Sequence, residues 1–251
     1  MTLFGGLLWC ILTLLPLGFL QRLFHQELQA SFLILSRSPE FTITLFSIIF
    51  LPGVLLHEFS HYLAARLLWV KTARFSLIPQ MLPDGRLQLG YVETARSDVL
   101  RDSLIGAAPL LAGGSLVAYL AVTRLDLLPL WDALRAGQFD RLWLGLRLLP
   151  GAADFPLWFY LLFTVSSTML PSQSDRHAWL PLGMTLAGLL ALALLVGAGP
   201  WMLEHVAPGL SRLLAAAAAV FGLSAGLHAL LLVPTRLLHL ALTRVTGLEV
   251  Q

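Results

Sequence analysis

Residues 41–70 of the chain read FTITLFSIIFLPGVLLHEFSHYLAARLLWV. The stretch is almost uncharged, yet it holds a glutamate, Glu58, close to two histidines, His57 and His61. An apolar run of this length is typical of a helix that crosses a bilayer, whose hydrocarbon core of about 30 Å needs roughly 20 residues. Ionisable groups at that depth are costly, and they are kept where they pair, bind a metal or face water. The stretch therefore predicts a membrane-spanning helix with a functional site inside it.

The composition of the whole chain favours an integral membrane protein. Of the 251 residues, 57% are hydrophobic and 12% are Asp, Glu, Lys or Arg. Soluble domains carry about 25% charged residues, so this chain has too few charges to cover the surface of a soluble globule. The net charge of +2 and the lack of Lys/Arg runs argue against a nucleic-acid partner. The single cysteine, Cys10, excludes an internal disulfide and a thiolate metal site.

Further stretches without Asp, Glu, Lys or Arg are long enough to cross a bilayer as helices. They cover residues 3–20, 103–123, 155–174, 177–203 and 213–235. Together with residues 41–70 they predict an all-α polytopic membrane protein with about six transmembrane helices. The first stretch lacks the basic flank and the cleavage site of a signal peptide, so we expect it to be an anchor helix. Basic residues divide almost evenly between the two sides of such a bundle and predict no orientation.

Two connections have patterns of their own. Residues 73–95 alternate apolar and polar side chains around Pro83-Asp84-Gly85, which predicts a short membrane-associated β-hairpin with Asp-Gly as its turn. Residues 131–149 place apolar side chains on one helical face and their charged side chains away from it. The apolar members of that face are Phe139, Leu142, Trp143, Leu146 and Leu149. The pattern predicts an interfacial amphipathic helix, and a connector packed on the other helices is the alternative.

The residues His57-Glu58-Phe59-Ser60-His61 form an HExxH motif. Two histidines four positions apart lie on one face of a helix and can hold one zinc ion, while the glutamate beside them can accept a proton from water. A catalytic zinc also needs a third protein ligand and an open position. Because no cysteine is available for it, the third ligand must be a carboxylate or another histidine. The alternative interpretation is a polar helix contact or a proton relay in a transporter.

The motif lies in an apolar helix, and a hairpin-like segment and a helix with Gly106-Ala107-Ala108-Pro109 follow it. This order resembles the site-2 protease family of intramembrane zinc metalloproteases. The resemblance covers residues 41–180, which would be a metalloprotease-like core within a single membrane domain. Residues 1–40 would then add an anchor helix and connector, and residues 181–251 two further helices and a tail.

The resemblance implies an enzyme that holds one zinc ion per chain and uses Glu58 as its general base. Its substrate would be a transmembrane or signal-peptide-like segment of another membrane protein. The chain would lie in a lipid bilayer, the plasma (inner) membrane of a prokaryote, with its site reached from the cytosol. Such a substrate must unwind before hydrolysis, and the free edge of the hairpin could pair with the unwound strand. We expect Leu87, Leu89 and Tyr91 to contact it.

The resemblance also implies an Asp at the end of a later core helix as the third zinc ligand, and we expect this to be Asp175. Asp84 precedes a glycine as the family's Asp does, but the hairpin turn explains that pair by backbone geometry alone. Glu93 and His177 are the other candidates for the third ligand. We expect His228, in the last apolar stretch, to be a hydrogen-bonded helix contact.

The sequence departs from the family pattern in two places. Gly113 and Gly114 stand where the family has an Asn, and Arg176 follows Asp175 where the family has a glycine. These departures leave open a catalytically inactive relative that binds membrane segments. A small transporter with a His/Glu pathway is the third alternative.

Overall fold

The structure is a computed structural model that describes residues 3–81 and 87–248. The predicted Asp84-Gly85 turn lies outside these residues. Within them the chain is mostly helical and carries four short strands. In chain order the elements are α1 (Leu3–Ser36), α2 (Pro39–Leu67), β1 (Thr72–Ser76), β2 (Gln80–Met81), β3 (Leu87–Gln88), β4 (Tyr91–Thr94), α3 (Val99–Tyr119), α4 (Leu128–Arg135), α5 (Phe139–Leu148), α6 (Phe155–Thr168), α7 (Trp179–Leu195), α8 (Gly199–His205) and α9 (Ala207–Thr246). A π-helical turn extends α3 over Leu120–Arg124, and a 3₁₀ turn follows α5 over Leu149–Gly151.

Among residues 3–81 and 87–248, four helices are long and apolar enough to cross a membrane: α1, α2, α3 with its π turn, and α9. Two bent pairs, α5 with α6 at 108° and α7 with α8 at 115°, raise the number to as many as six if each pair is one span. The expected all-α membrane architecture is confirmed at this level. Left-handed residues break both pairs, Asp154 before α6 and Gly197 before α8, and a proline follows each at the start of the next helix.

The interfacial helix predicted over residues 131–149 is two helices rather than one. Helix α4 ends at Arg135, Gly137 adopts a left-handed φ of 68°, and α5 begins at Phe139. Because Gly145 of α5 lies directly against Leu130 of α4, the two helices pack as a short hairpin. Within this helical hairpin, apolar side chains of α5 remain exposed, including Phe139 and Trp143.

Helices α1 and α9 pack side by side and run in the same direction. Successive contacts along the pair join Gly6 to Ser211, Thr13 to Gly222, and Glu27 to His239. If both helices cross one bilayer in the same direction, an odd number of crossings must lie between them. Six alternating crossings place four between the first and the last. The parallel packing of α1 and α9 therefore differs from the six alternating crossings that the sequence predicts. The bent pair of α7 and α8 need not complete a crossing, which leaves three crossings between α1 and α9.

Small residues bring α2 close to α6, and α3 close to the segment that follows α6. A Cβ atom at Gly53 of α2 would collide with the backbone of Thr164 in α6. One at Gly113 of α3 would lie 2.5 Å from the Cβ atom of Met169. Close backbone approach at small residues is typical of helix packing in membranes. These contacts fix the end of α6 beside the HExxH turns of α2.

The predicted hairpin is present in the described residues and lies along α2. Strand β1 pairs antiparallel with β4, and β2 pairs antiparallel with β3. A Cβ atom at Gly90 would lie 2.9 Å from Cγ of Glu58. Farther along the hairpin, residues 77–80 share a groove of about 480 Å³ with the N-terminal half of α2. The hairpin therefore returns beside the apolar length of α2.

The direction of α9 can be tested with single cysteines in a Cys10→Ser background. The exposed positions Glu40, Glu204 and Arg244 are each replaced by Cys, and an impermeant maleimide is applied to intact and to opened vesicles. Because α1 and α9 are parallel, we expect positions 40 and 244 to be labelled from one side and position 204 from the other. Six alternating crossings predict instead that position 40 is labelled together with position 204.

Candidate metal centre

Helix α2 places His57 and His61 on one face, one turn apart, and points their Nε2 atoms at each other across 3.2 Å. Each ring is held by its other nitrogen. His57 Nδ1 lies 2.6 Å from the carbonyl oxygen of Thr168, and His61 Nδ1 lies 2.8 Å from that of Ile105. A carbonyl oxygen only accepts hydrogen bonds, so both Nδ1 atoms carry a proton, and in the neutral imidazoles both Nε2 atoms present lone pairs. This is the tautomer that a histidine needs to bind a metal through Nε2.

The two carbonyl groups are free to accept because of where they lie in their helices. Thr168 is the last residue of α6, and the final carbonyls of a helix have no partner within it. Ile105 lies four residues before Pro109, which is inside α3. Since proline has no N–H, the carbonyl of Ile105 has no i+4 donor and remains available for His61.

Asp175 completes the group from the segment between α6 and α7. Its Oδ1 lies 3.2 Å from His61 Nε2, and its Oδ2 lies 3.6 Å from His57 Nε2. The backbone N–H of Ser172 donates to Oδ2 at 2.6 Å and turns the carboxylate toward α2. Burial raises the pKa of Asp175, but the two imidazoles and the Ser172 N–H outweigh it and hold that pKa well below its usual range. The carboxylate is therefore ionised, as a ligand must be.

The ligand atoms of His57, His61 and Asp175 all lie within 4.8 Å of one another, and together these residues could hold a metal ion. A tetrahedral centre with ligand bonds of about 2.1 Å separates neighbouring ligand atoms by about 3.4 Å. The two Nε2 atoms are 3.2 Å apart, and each lies 3.2 or 3.6 Å from one of the two Asp175 carboxylate oxygens, which is close to that spacing. Three electron-rich atoms converge on one point and repel one another unless a cation, either a metal ion or a proton, lies between them.

Glu58 lies on the next position of α2 and is buried beside the histidines. The hairpin passes close over it at Gly90, where a side chain would press on Glu58. Glu58, His57, His61 and Asp175 all line one cavity of about 1380 Å³. This cavity also receives polar side chains from α1, from the start of α3 and from residues 167–177. The group thus has room for water and for an extended chain.

The predicted substrate contacts Leu87, Leu89 and Tyr91 line this cavity, as does every residue from 87 to 96. Side chains of a strand alternate between its two faces, so an unbroken run of lining residues means that this strand meets the cavity with its edge. Among the described residues of the first half of the hairpin, 72–81, only Arg74 and Gln80 line the cavity. The free edge therefore belongs to the second half of the hairpin.

Two of the other candidates for the third ligand, Glu93 and His177, lie outside the metal group. Glu93 is half exposed, with an oxygen 4.0 Å from Arg74 Nε, and His177 faces Asp102 at 3.4 Å. Asp84 lies outside the described residues. His228 is fully buried and hydrogen-bonded to Ser167 and to the Ser224 carbonyl, so the expected helix contact is confirmed.

Two residues of the site were not recognised in the sequence as part of it. Pro109 frees the carbonyl that holds His61, and Gly106 lets Asp175 approach, because a Cβ atom there would collide with the Asp175 carbonyl oxygen. The sequence signal for both roles is the run Gly106-Ala107-Ala108-Pro109. A glycine and a proline inside one apolar helix indicate a close backbone approach and a free carbonyl.

Gly106→Ala should weaken metal binding, because the added methyl group displaces the Asp175 segment. Losing such support typically costs about 10- to 100-fold in affinity. The affinity is measured on detergent-purified protein by competition with a chelator, with Zn²⁺ as the probe ion. Gly114→Ala, where the nearest atom lies 3.9 Å from the new Cβ, is the matched control and should bind as the wild type does. Wild-type affinity in Gly106→Ala would contradict the contact.

Comparison with known proteins assigns neither a family nor a function to the chain. No family model, curated protein or solved structure matches the chain. The roles of the residues in the site therefore follow from their positions and their chemistry. What those positions establish is a His57, His61 and Asp175 group that could hold a metal ion, with Glu58 next to it in an apolar helix.

Proposed function

We propose that the chain is an intramembrane zinc metalloprotease, similar to the site-2 protease family, that hydrolyses peptide bonds of transmembrane segments. The observation that carries this proposal is the approach of Asp175 to His57 and His61 from a segment far along the chain. A buried glutamate, Glu58, stands beside these ligands in an apolar helix. Two imidazoles and one carboxylate are a common protein ligand set of catalytic zinc, which keeps a further position open.

Zinc held by His57, His61 and Asp175 would act as a Lewis acid that polarises a carbonyl and acidifies water. The remaining steps fall to side chains of the chain. Glu58 lies next to these ligands and faces the same cavity, where it can take a proton from the attacking water. It can then pass that proton to the departing amine, which completes general base and general acid catalysis by one carboxylate.

The hairpin supports a peptide substrate in particular. Backbone N–H and C=O groups at membrane depth must be paired or must face water, and the free edge formed by residues 87–96 faces the cavity. A transmembrane helix that unwinds beside the metal loses its own backbone hydrogen bonds. Pairing with this edge replaces them and places the unwound strand near Glu58. The long apolar helices indicate a membrane protein, and we propose the plasma membrane of a prokaryote as its location.

The metal is tested by zinc content in detergent-purified wild type, Asp175→Ala and Glu58→Gln. We expect about one zinc per wild-type chain, a marked loss in Asp175→Ala because a ligand is missing, and full zinc in Glu58→Gln. A wild type that stays free of zinc after zinc is supplied would contradict the protease and favour a transport path.

The same three proteins are then tested for hydrolysis of an unfolded fluorescent casein in detergent. Glu58→Gln should retain zinc but lose at least about 100-fold in rate, since general base catalysis typically contributes that much. Equal rates in Glu58→Gln and wild type would remove Glu58 from the mechanism. Zinc without hydrolysis in the wild type would indicate a relative that binds membrane segments without cleaving them.

Leu89→Pro tests the hairpin edge. Residue 89 lies between the β2–β3 and β1–β4 pairs, so proline there leaves the hairpin's own pairing in place. It does remove an N–H from the edge that faces the cavity. We expect a higher KM for casein and unchanged zinc content. Leu89→Ala keeps the N–H and should raise the KM for casein by a smaller factor. The difference between the two variants separates the contribution of the backbone from that of the side chain. An unchanged KM in Leu89→Pro would contradict pairing at this edge.

A further inference from the structure

We propose that Asp102, in the first turn of α3, is a positioning residue that ties the third-ligand segment to the substrate-binding edge of the hairpin. The inference rests on the proposed function. Asp102 is largely buried and makes no contact with the metal group itself. Its two carboxylate oxygens bind different parts of the chain, and each part supports a different component of the site.

One oxygen of Asp102 holds the segment that carries Asp175. Its Oδ2 lies 3.4 Å from Nε2 of His177, two residues after the ligand, and this contact is an ion pair when the imidazole is protonated. The ring of His177 is fixed at its other side, where Nδ1 donates to the carbonyl of Ser174 at 2.7 Å. His177 therefore links the Asp175 turn at Ser174 to α3. A shift of Asp102 would move the turn that carries Asp175.

The same face of α3 makes two more contacts with this segment. Ser103 Oγ donates to the carbonyl of Ala178 at 3.2 Å, and Gly106 lies against the carbonyl of Asp175. Asp102 is the charged member of this set, and its carboxylate lies at the positive N-terminal end of α3. The ligand segment is thus seated on the first turns of α3 by several contacts.

The other oxygen of Asp102 holds the end of the hairpin. Its Oδ1 accepts hydrogen bonds from the hydroxyl and from the backbone N–H of Ser97. Ser97 comes three residues after the end of β4, immediately after residues 87–96, the run whose edge faces the cavity. One carboxylate therefore fixes the distance between the strand that would hold the substrate and the segment that holds the metal.

Three variants separate the two links. His177→Ala removes only the contact to the ligand segment, Ser97→Ala removes only the side-chain contact to the hairpin, and Asp102→Ala removes both. Each full-length protein is purified in detergent and tested with Co²⁺ alone for affinity and for its visible ligand-field spectrum, and with the fluorescent casein for KM and kcat. His177→Gln keeps a donor toward Asp102 and is the conservative rescue.

We expect Co²⁺ affinity to fall about 10- to 100-fold in His177→Ala and Asp102→Ala, with an altered spectrum, because support of a metal ligand is lost. His177→Gln should recover most of the affinity and the spectrum. Ser97→Ala should bind Co²⁺ within twofold of wild type and raise KM several-fold with kcat retained. Asp98→Asn is the matched control, since Asp98 caps the same helix and asparagine caps equally well.

The outcomes separate this inference from the function on which it rests. A wild type that binds no Co²⁺ overturns both. A wild type that binds Co²⁺, together with a His177→Ala variant of equal affinity and spectrum, overturns the link to the ligand segment. His177 is exposed, so its substitution leaves the fold in place even if Asp102→Ala fails to fold. An unchanged KM in Ser97→Ala overturns the link to the hairpin.

Discussion

Three electron-rich atoms converge at the centre of this protein, and the surrounding structure is arranged around them. Both imidazoles are fixed in the tautomer that turns a lone pair inward, because their Nδ1 atoms donate to the carbonyls of Thr168 and Ile105. Asp175 brings a negative charge to the same point. Such a group is repulsive without a cation. The packing of α2, α3 and α6 keeps the three residues together. Gly53 and Gly106 allow close backbone contacts that a larger residue would prevent. Pro109 leaves free a carbonyl that a residue with an N–H would occupy.

A second constraint is the presence of extended backbone beside an apolar helix. Unpaired peptide groups cannot face lipid, so a two-stranded hairpin at membrane depth requires water or protein along its free edges. The cavity of about 1380 Å³ meets this requirement along residues 87–96. The proposed hydrolysis would draw on the same water. One cavity would therefore serve both the solvation of the hairpin edge and the proposed reaction.

Local patterns in the sequence predict much of this site, and the rest depends on long-range packing. His57, Glu58 and His61 follow from helical spacing, and the strands on either side of residues 82–86 follow from alternation. Asp175 was expected through a family resemblance, and the geometry places it with the histidines. The parallel course of α1 and α9 could not be read from hydropathy, because apolar runs give the lengths of helices and not their directions. The break at Gly137 was missed for a related reason, since helical periodicity continues in phase across a short interruption.

The packing also connects both ends of the chain to the segment between them. Residues 1–40 and 181–251 were interpreted as additions around a core, yet both meet that core at Ser167, the residue before the carbonyl that anchors His57. Gln21 of α1 donates to the Ser167 carbonyl at 2.6 Å, and His228 of α9 accepts from its hydroxyl at 2.8 Å. His228 can accept there because its Nδ1 donates to the Ser224 carbonyl. Without α1 and α9 these polar groups of α6 would lose their partners, and an unpaired polar group at membrane depth costs several kcal/mol. The outer helices are therefore part of what holds His57 in place, and the metal group depends on the whole bundle.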